Sequence, residues 1–318
     1  MTSKLSFVPH LSKHVDAENL SDCSGRCPFC LSEKPRPAVA AIQKDPIVNL
    51  LSCKECKAIS ASHMPCSSFL DRYYRNNFTH IYEQYDAGKR ITFQGEPRFV
   101  EHICRYIDSK WAAQQNSLRI VDFGGGDGTL AAGMASRLNR RANVTVVDHG
   151  PEWIREGPIC IEKKKFVESI RQKCQIVIAS ASLEHVPQPH SVIRKLYSLL
   201  EPGGYFYART PFVSPFMKLF DIYDFGYPAH LHDLGPAFWN GFVHIFAKDA
   251  ACIVSQPSIV ETSFTKKPIK TIIAAALKLP AHVEVRIRPG KEEPCWQFVG
   301  GWEAVFRKKL RLHGDARP

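Results

Sequence analysis

From Leu118 onward, short runs of apolar, often β-branched residues alternate with stretches whose apolar positions recur every three or four residues. LRIVDF (118–123), NVTVVD (143–148), CQIVIAS (174–180) and GYFYART (204–210) have the near-continuous apolar content of strands covered on both faces. LAAGMASRL (130–138) and VIRKLYSLL (192–200) have helical spacing, and Pro202-Gly203-Gly204 stops the second. Strands alternating with helices predict a parallel, doubly wound α/β sheet. Upstream, SFLDRYYRNNFTHIYEQYDAGKR (68–90) reads as partly helical. So does 96–110, where Phe99, Ile103, Tyr106 and Ile107 share a face. Residues 211–250 break the rhythm with aromatic, His and Pro residues, and GPAFWNGFVHIFAKDA (235–250) predicts a helix with Pro236 in its first turn. HVEVRIR (282–288) and WQFVGGWEAVFR (296–307), joined by PGKEEP, read as a closing antiparallel strand pair.

The organisation expected is a mobile tail (1–20), a cysteine-rich module (21–66), a helical connector (67–117), a main domain (118–310) with an irregular segment at 211–250 (a substrate lid, by the resemblance given below), and a basic tail (311–318). With 318 residues the chain can bury a real core, and 44% hydrophobic with 23% charged residues is ordinary globular usage. The longest apolar stretch, Ile272–Leu279, is far short of a membrane span. The first twenty residues lack the apolar core of a secretory signal, so a cytoplasmic location is expected.

Charge adds little. The formal net charge of +11 points first towards nucleic acid, but the basic residues are spread along the chain. Their one concentration is the short run Arg307, Lys308, Lys309, Arg311 and Arg317. Lys163, Lys164 and Lys165 read as a solvated surface.

Two constellations carry chemistry. In IVDFGGGDGTLAAGMA (120–135) a strand runs through glycines into a helix, an arrangement that lets backbone amides face a ligand. Residue 129 is Thr, so the dinucleotide spacing G-x-G-x-x-G fails, and the P-loop ending is missing too. What remains is D-x-G-x-G-x-G, with Asp122 at the strand end. Asp148 closes the next strand, where a carboxylate can accept ribose hydroxyls.

The order of segments resembles the class I S-adenosylmethionine-dependent methyltransferases. DFGGGDG is similar to the family's first motif, VTVVD to its second, SASLEHVPQP to its fourth and LLEPGGYFYARTP to its strand-five segment. The resemblance implies a Rossmann-like fold and S-adenosylmethionine as cofactor. It implies that Asp122, Phe123, Gly124, Gly126 and Gly128 hold the methionine end, that Asp148 holds the ribose, and that Ser180 and Ala181 border the site. The adenine contact, usually after strand three, would fall in IEKKKFVES without a secure position.

The second constellation is Cys27-Pro-Phe-Cys30 with Cys53-Lys-Glu-Cys56. Two C-x2-C turns can close four thiolates around a structural zinc. Cys23, His63 and Cys66 are nearby substitutes, and the alternative is a set of redox or buried thiols. Such a module ahead of a methyltransferase domain resembles bacterial methyltransferases of nucleotide sugars and other metabolites. One ribosomal-RNA methyltransferase group also begins with a zinc module, but its ligands are three Cys and one His.

Methylating a hydroxyl or carbon needs a base, and His is the commonest. Three candidates stand out: His185 just past the fourth strand, and His230 and His232 in the lid beside Asp233. Tyr223, Tyr227, Phe238 and Trp239 surround the last two, as substrate platform or as core. His185 could instead position cofactor, and Asp233 could cap the helix at Pro236. The expected acceptor is a small polar metabolite, with a sugar in view. An RNA or protein acceptor, or a non-catalytic interaction module on the same fold, are the rivals.

Overall fold

The computed structural model describes residues 5–6, 12–23, 25–86, 97–219, 223–262, 267–289 and 291–310. The expected basic tail at 311–318 and residues 1–4 and 7–11 of the expected mobile tail lie outside the described residues; in the rest of that tail Val15 is buried. In chain order, β1 (Leu5–Ser6), β2 (Ala38–Lys44), β3 (Ile47–Ser52) and β4 (Ile59–Ala61) precede helices α1 (Ser67–Asp86), α2 (Pro97–Cys104) and α3 (Ser109–Ala113). The alternating unit follows: β5 (Leu118–Phe123), α4 (Thr129–Arg137), β6 (Ala142–Val147), β7 (Trp153–Arg155), β8 (Ile159–Lys164), β9 (Cys174–Ser180), α5 (Pro189–Leu199) and β10 (Leu200–Phe212). The chain ends through α6 (Ser214–Leu219), β11 (Tyr223–Asp224), β12 (His232–Asp233), α7 (Pro236–Ile245), β13 (Ala250–Pro257), α8 (Pro268–Ile287) and β14 (Gly300–Lys308).

The main sheet has eight strands in the order β13-β14-β10-β9-β5-β6-β8-β7. Its centre, β10-β9-β5-β6-β8, is parallel, and β14 runs antiparallel to both β10 and β13. Because side chains alternate along a strand, the central strands feed two cores. Ile120, Ile176, Ile178, Tyr205 and Tyr207 pack with α2, α3 and α4 through Phe99, Ile103, Trp111 and Met134. Val121, Val177, Ala179, Phe206 and Ala208 pack with α5 and α7 through Ile193, Leu196, Phe238 and Phe242. The helical stretch expected as a connector therefore covers one face of the sheet.

The closing antiparallel pair forms from other residues than expected. His282–Ile287 is helical, within α8, and the partner of β14 is β13. The Ala- and Leu-rich run before Pro280 favours helix, and this carries the short VEVRI alternation with it.

A second sheet, β12-β4-β3-β2, joins the cysteine-rich region to the lid, with His232 opposite Ser60 and Asp233 opposite Ile59. The two regions thus share backbone hydrogen bonds across some 170 residues of sequence.

Candidate functional site

Chain order reverses between β5 and β9, and this is where open α/β sheets bind ligands, beyond the carboxyl ends of the strands. A cavity of about 1310 Å³ opens there. The loop after β5 supplies one wall: Phe123, Gly124, Gly125, Gly126 and Asp127. At Gly124 φ is +73° and a Cβ would lie 2.4 Å from Ser182 Cβ, so only glycine lets the loop meet the segment after β9. The Gly126 amide donates to Asp148 Oδ2 (2.6 Å) and the His149 amide to Oδ1 (2.6 Å).

Asp122 and Gly128 take different places from those implied by the resemblance. Neither lines the cavity. Asp122 is fully buried under the loop; its Oδ2 has no hydrogen-bond partner, and a Cβ on Gly125 would sit 2.4 Å from its Cγ. Burial pushes its carboxyl up to about 7, and the charges of Asp148 and Asp127 push the same way. Asp122 shapes the loop from behind. Gly128 is the N-cap of α4, packed towards Val146 and Ile161.

Across the cavity, Ala181 and Ser182 border the opening and the Ser182 hydroxyl is buried without a partner. Ala181 holds φ +53°, a strained value for a residue with a Cβ. Ser180 lies beneath the wall, where its hydroxyl accepts from Arg209 Nε (3.2 Å). Lys165, Phe166, Val167 and Glu168 form a further wall after β8. Of the three lysines expected at the surface, Lys163 is buried in β8, and Lys164 pairs with Glu162.

The three candidate bases separate. His185 lines the cavity; its Nδ1 donates to the Ala229 carbonyl (2.6 Å), which leaves the Nε2 lone pair available. His230 stands behind it, ring centroids 5.1 Å apart, with Nδ1 donating to the Phe225 carbonyl (3.0 Å). Burial pulls His230 down to about 3, so it is neutral. Glu184 is buried beside the pair, with one oxygen 3.9 Å from His185 Nε2 and the other without a partner. Burial raises its pKa, and a charged His185 would lower it again. One oxygen of Glu184 and one nitrogen each of His185 and His230 lie within 4.8 Å of one another, close enough to share a cation.

His232 is not part of this group. Its Nε2 donates to the Val186 carbonyl (2.7 Å), its Nδ1 accepts from Ser60 Oγ (3.0 Å), and it is fully buried against Phe29. With both nitrogens engaged and burial lowering it to about 3, it is a structural joint between lid and cysteine-rich region. Asp233 also does other work than expected. Its carboxylate accepts the amides of Val213 (2.7 Å) and Ser214 (2.8 Å), and so caps α6 rather than the helix at Pro236. Phe238 and Trp239 are core, and Tyr227 donates to the His63 carbonyl; the side chain of Tyr223 lies outside the described residues.

Tyr74 of α1 escaped the sequence reading. It lines the cavity, stacks on His149 (5.0 Å, 17°) and meets His185 edge-on (6.5 Å). The only hint was the Tyr-rich composition of that helix.

The four cysteines come together. Cys27 and Cys56 Sγ are 3.5 Å apart, Cys30 and Cys53 Sγ 3.6 Å, and all four sulfurs lie within 4.8 Å of one another. Each pair sits on a turn closed by an amide: Leu31 N to Cys27 O and Lys57 N to Cys53 O, with φ +62° at Leu31 and +63° at Lys57. The neighbouring Cys56 thiol holds Cys27 below the usual thiol range, so the cluster already favours a thiolate. Such a set could hold one tetrahedral ion with no open position. Cys23, His63 and Cys66 lie outside it. The first turn docks on the cavity rim: His190 N donates to Pro28 O (3.2 Å), and His190 Nδ1 to Phe29 O (2.5 Å). Cys27 and Pro28 themselves line the cavity.

Residues 96–242 match the family model described as a methyltransferase domain. A ubiquinone biosynthesis O-methyltransferase of Marinobacter nauticus is 33% identical over 157 residues, covering 43% of this chain and 62% of that protein. Its counterpart in Psychrobacter arcticus is 26% identical over 165 residues, covering 48% and 60%. The chain therefore spans about 60% of the length of these curated relatives. Among solved structures, the plantazolicin methyltransferase BpumL with a monoazolic analogue and SAH aligns at 13% identity and TM-score 0.45, covering 76% of this chain and 93% of that one. Residues 96–242 of this chain are thus similar to a methyltransferase domain.

Proposed function

We propose that the protein transfers a methyl group from S-adenosylmethionine to a hydroxyl oxygen of a small polar acceptor, with His185 as the base. The observation that carries this reading is the placement of His185: it lines the same cavity as the glycine loop, with Nδ1 tied to Ala229 and Nε2 left to accept a proton. The bound cofactor supplies an electrophilic sulfonium methyl. The chain's part is to align and deprotonate. Gly124 and Gly126 hold the methionine end of the cofactor from the loop, and Asp148 accepts the ribose hydroxyls. The wall at Lys165–Val167 takes the adenine. His185 Nε2 would take the acceptor hydroxyl's proton as the methyl carbon leaves the sulfonium for that oxygen. Glu184 stabilises the resulting imidazolium across 3.9 Å, and His230 keeps the ring in place.

The four cysteines hold a structural zinc. The turn at Cys27–Cys30 abuts the cavity, so the metal organises part of the acceptor wall and takes no part in the chemistry. The names of the curated relatives support oxygen as the atom methylated. A sugar is one acceptor that a cavity of this size admits.

The test is transfer of a labelled methyl group into lysate fractions separated into small molecules, RNA and protein. Label in the small-molecule fraction, lost with His185→Ala, is the expected result. Label in RNA or protein alone would replace the acceptor class, and no transfer with intact cofactor binding would point to a non-catalytic module.

A further inference from the structure

We infer that α8 is a docking helix that lays the protein on an anionic membrane surface. Ala281 and Val285 of the helix pack on the core, yet most of its large apolar side chains face outward. Its inner side is seated by polar anchors: Lys278 Nζ donates to Ser258 O (2.7 Å) and Oγ (2.9 Å), and Thr271 Oγ1 donates to Thr262 Oγ1 (2.8 Å). Only Thr271, Lys278 and Ala281 of its twenty residues are buried. Its outer side is apolar. Ile269, Ile272, Ile273, Leu279, Val283 and Ile287 are between 45% and 74% exposed. At 3.6 residues per turn they fall within an arc of about 120° and run about 27 Å along the axis, opposite the buried residues. A stripe of that size on a soluble protein marks an interaction surface.

The borders of the stripe decide what covers it. Lys267, Lys270, Arg286 and Arg288 are exposed at its two ends. The one carboxylate of the helix, Glu284, is taken up by Lys291 Nζ (2.8 Å) and the Cys295 amide (2.7 Å). A twofold contact between two copies would set these basic ends against each other or leave them unmatched, because both copies present the same patch. A leaflet of anionic lipid complements them, with the aliphatic stripe entering the acyl boundary. Trp296 lies alongside, its Nε1 donating to Leu277 O (2.6 Å) and its ring partly exposed, which suits the headgroup level. No described helix is long and apolar enough to cross a membrane, so α8 would lie in the plane.

The test is flotation of the full-length, metal-loaded protein with vesicles of phosphatidylcholine containing about 30% phosphatidylglycerol, with sedimentation velocity alongside. The wild type should float, and added salt should weaken it. Ile272→Glu/Ile273→Glu should cut vesicle affinity at least about tenfold with an unchanged melting temperature, because both side chains are exposed. Lys270→Gln/Arg286→Gln should weaken binding in the same direction. The inference is overturned if the wild type does not float, if the double Glu variant floats as well, or if pure phosphatidylcholine binds equally. A wild-type dimer that the double Glu variant dissolves, with no vesicle binding, would assign the stripe to a second copy instead.

Discussion

Replacing Asp122 by Asn should stabilise the protein, and by an amount that depends on pH. In the fold Asp122 is fully buried and titrates near 7, against 3.8 for a free carboxyl. The folded value is raised, so the cost is absent at low pH, appears as pH passes 3.8, and is complete above about 7. The gap of about three units corresponds to roughly 4 kcal/mol at pH 8, about half of which has developed by pH 5.5. Asn keeps the acceptor oxygen but brings an amide for which the unpartnered Oδ2 position offers no acceptor, at a cost of about 1–2 kcal/mol. Asp122→Asn should therefore gain about 2–3 kcal/mol at pH 8 and about 0–1 kcal/mol at pH 5.5. Urea unfolding of both proteins at the two pH values, with metal held constant, reads this directly. Saturating cofactor should narrow the gap, because a cation in the cavity favours the ionised Asp122 and so rewards the wild type. A stability difference that ignores pH, or a less stable variant at pH 8, would refute a strained, buried carboxylate behind the loop.

Other variants test the remaining parts. His185→Ala should lower turnover by about 10²–10⁴-fold while cofactor affinity holds, as steady-state rates with calorimetry would read. His232→Ala should instead lower the urea midpoint, because it strands the Val186 carbonyl and Ser60 hydroxyl. Gly125→Ala forces a Cβ into the Asp122 carboxylate and should cost cofactor affinity in titration. Metal analysis should find about one zinc per chain, and Cys27→Ser/Cys53→Ser should lose both the metal and thermal stability.

Much of this site was legible because local rules and the global fold agree. β5, β9 and α5 carry unbroken patterns, and both loop glycines and Asp148 follow from strand–turn–helix order. The reading broke where tertiary contacts override the local signal. β8 hid because its last residues are lysines, yet Lys163 is buried there. The HVEVRIR alternation yielded to the helix begun upstream. His230 and His232 are two residues apart and equivalent by pattern. What separates them is the pairing of β12 with β4, a contact between segments 170 residues apart that no local period encodes. The same pairing turned Asp233 towards α6. Asp122 matched the motif in sequence, but its role came from depth: it lies under the loop instead of facing the cavity.

The proposed cofactor site is the cavity beyond the carboxyl ends of β5 and β9, with the glycine loop and Asp148 as its holders. Isothermal titration of the cofactor into wild type and Asp148→Ala tests it most directly. Saturable binding at one site, weakened by about 1–3 kcal/mol when the carboxylate is removed, is the result expected. No heat with the wild type, or equal affinity in the variant, would contradict it.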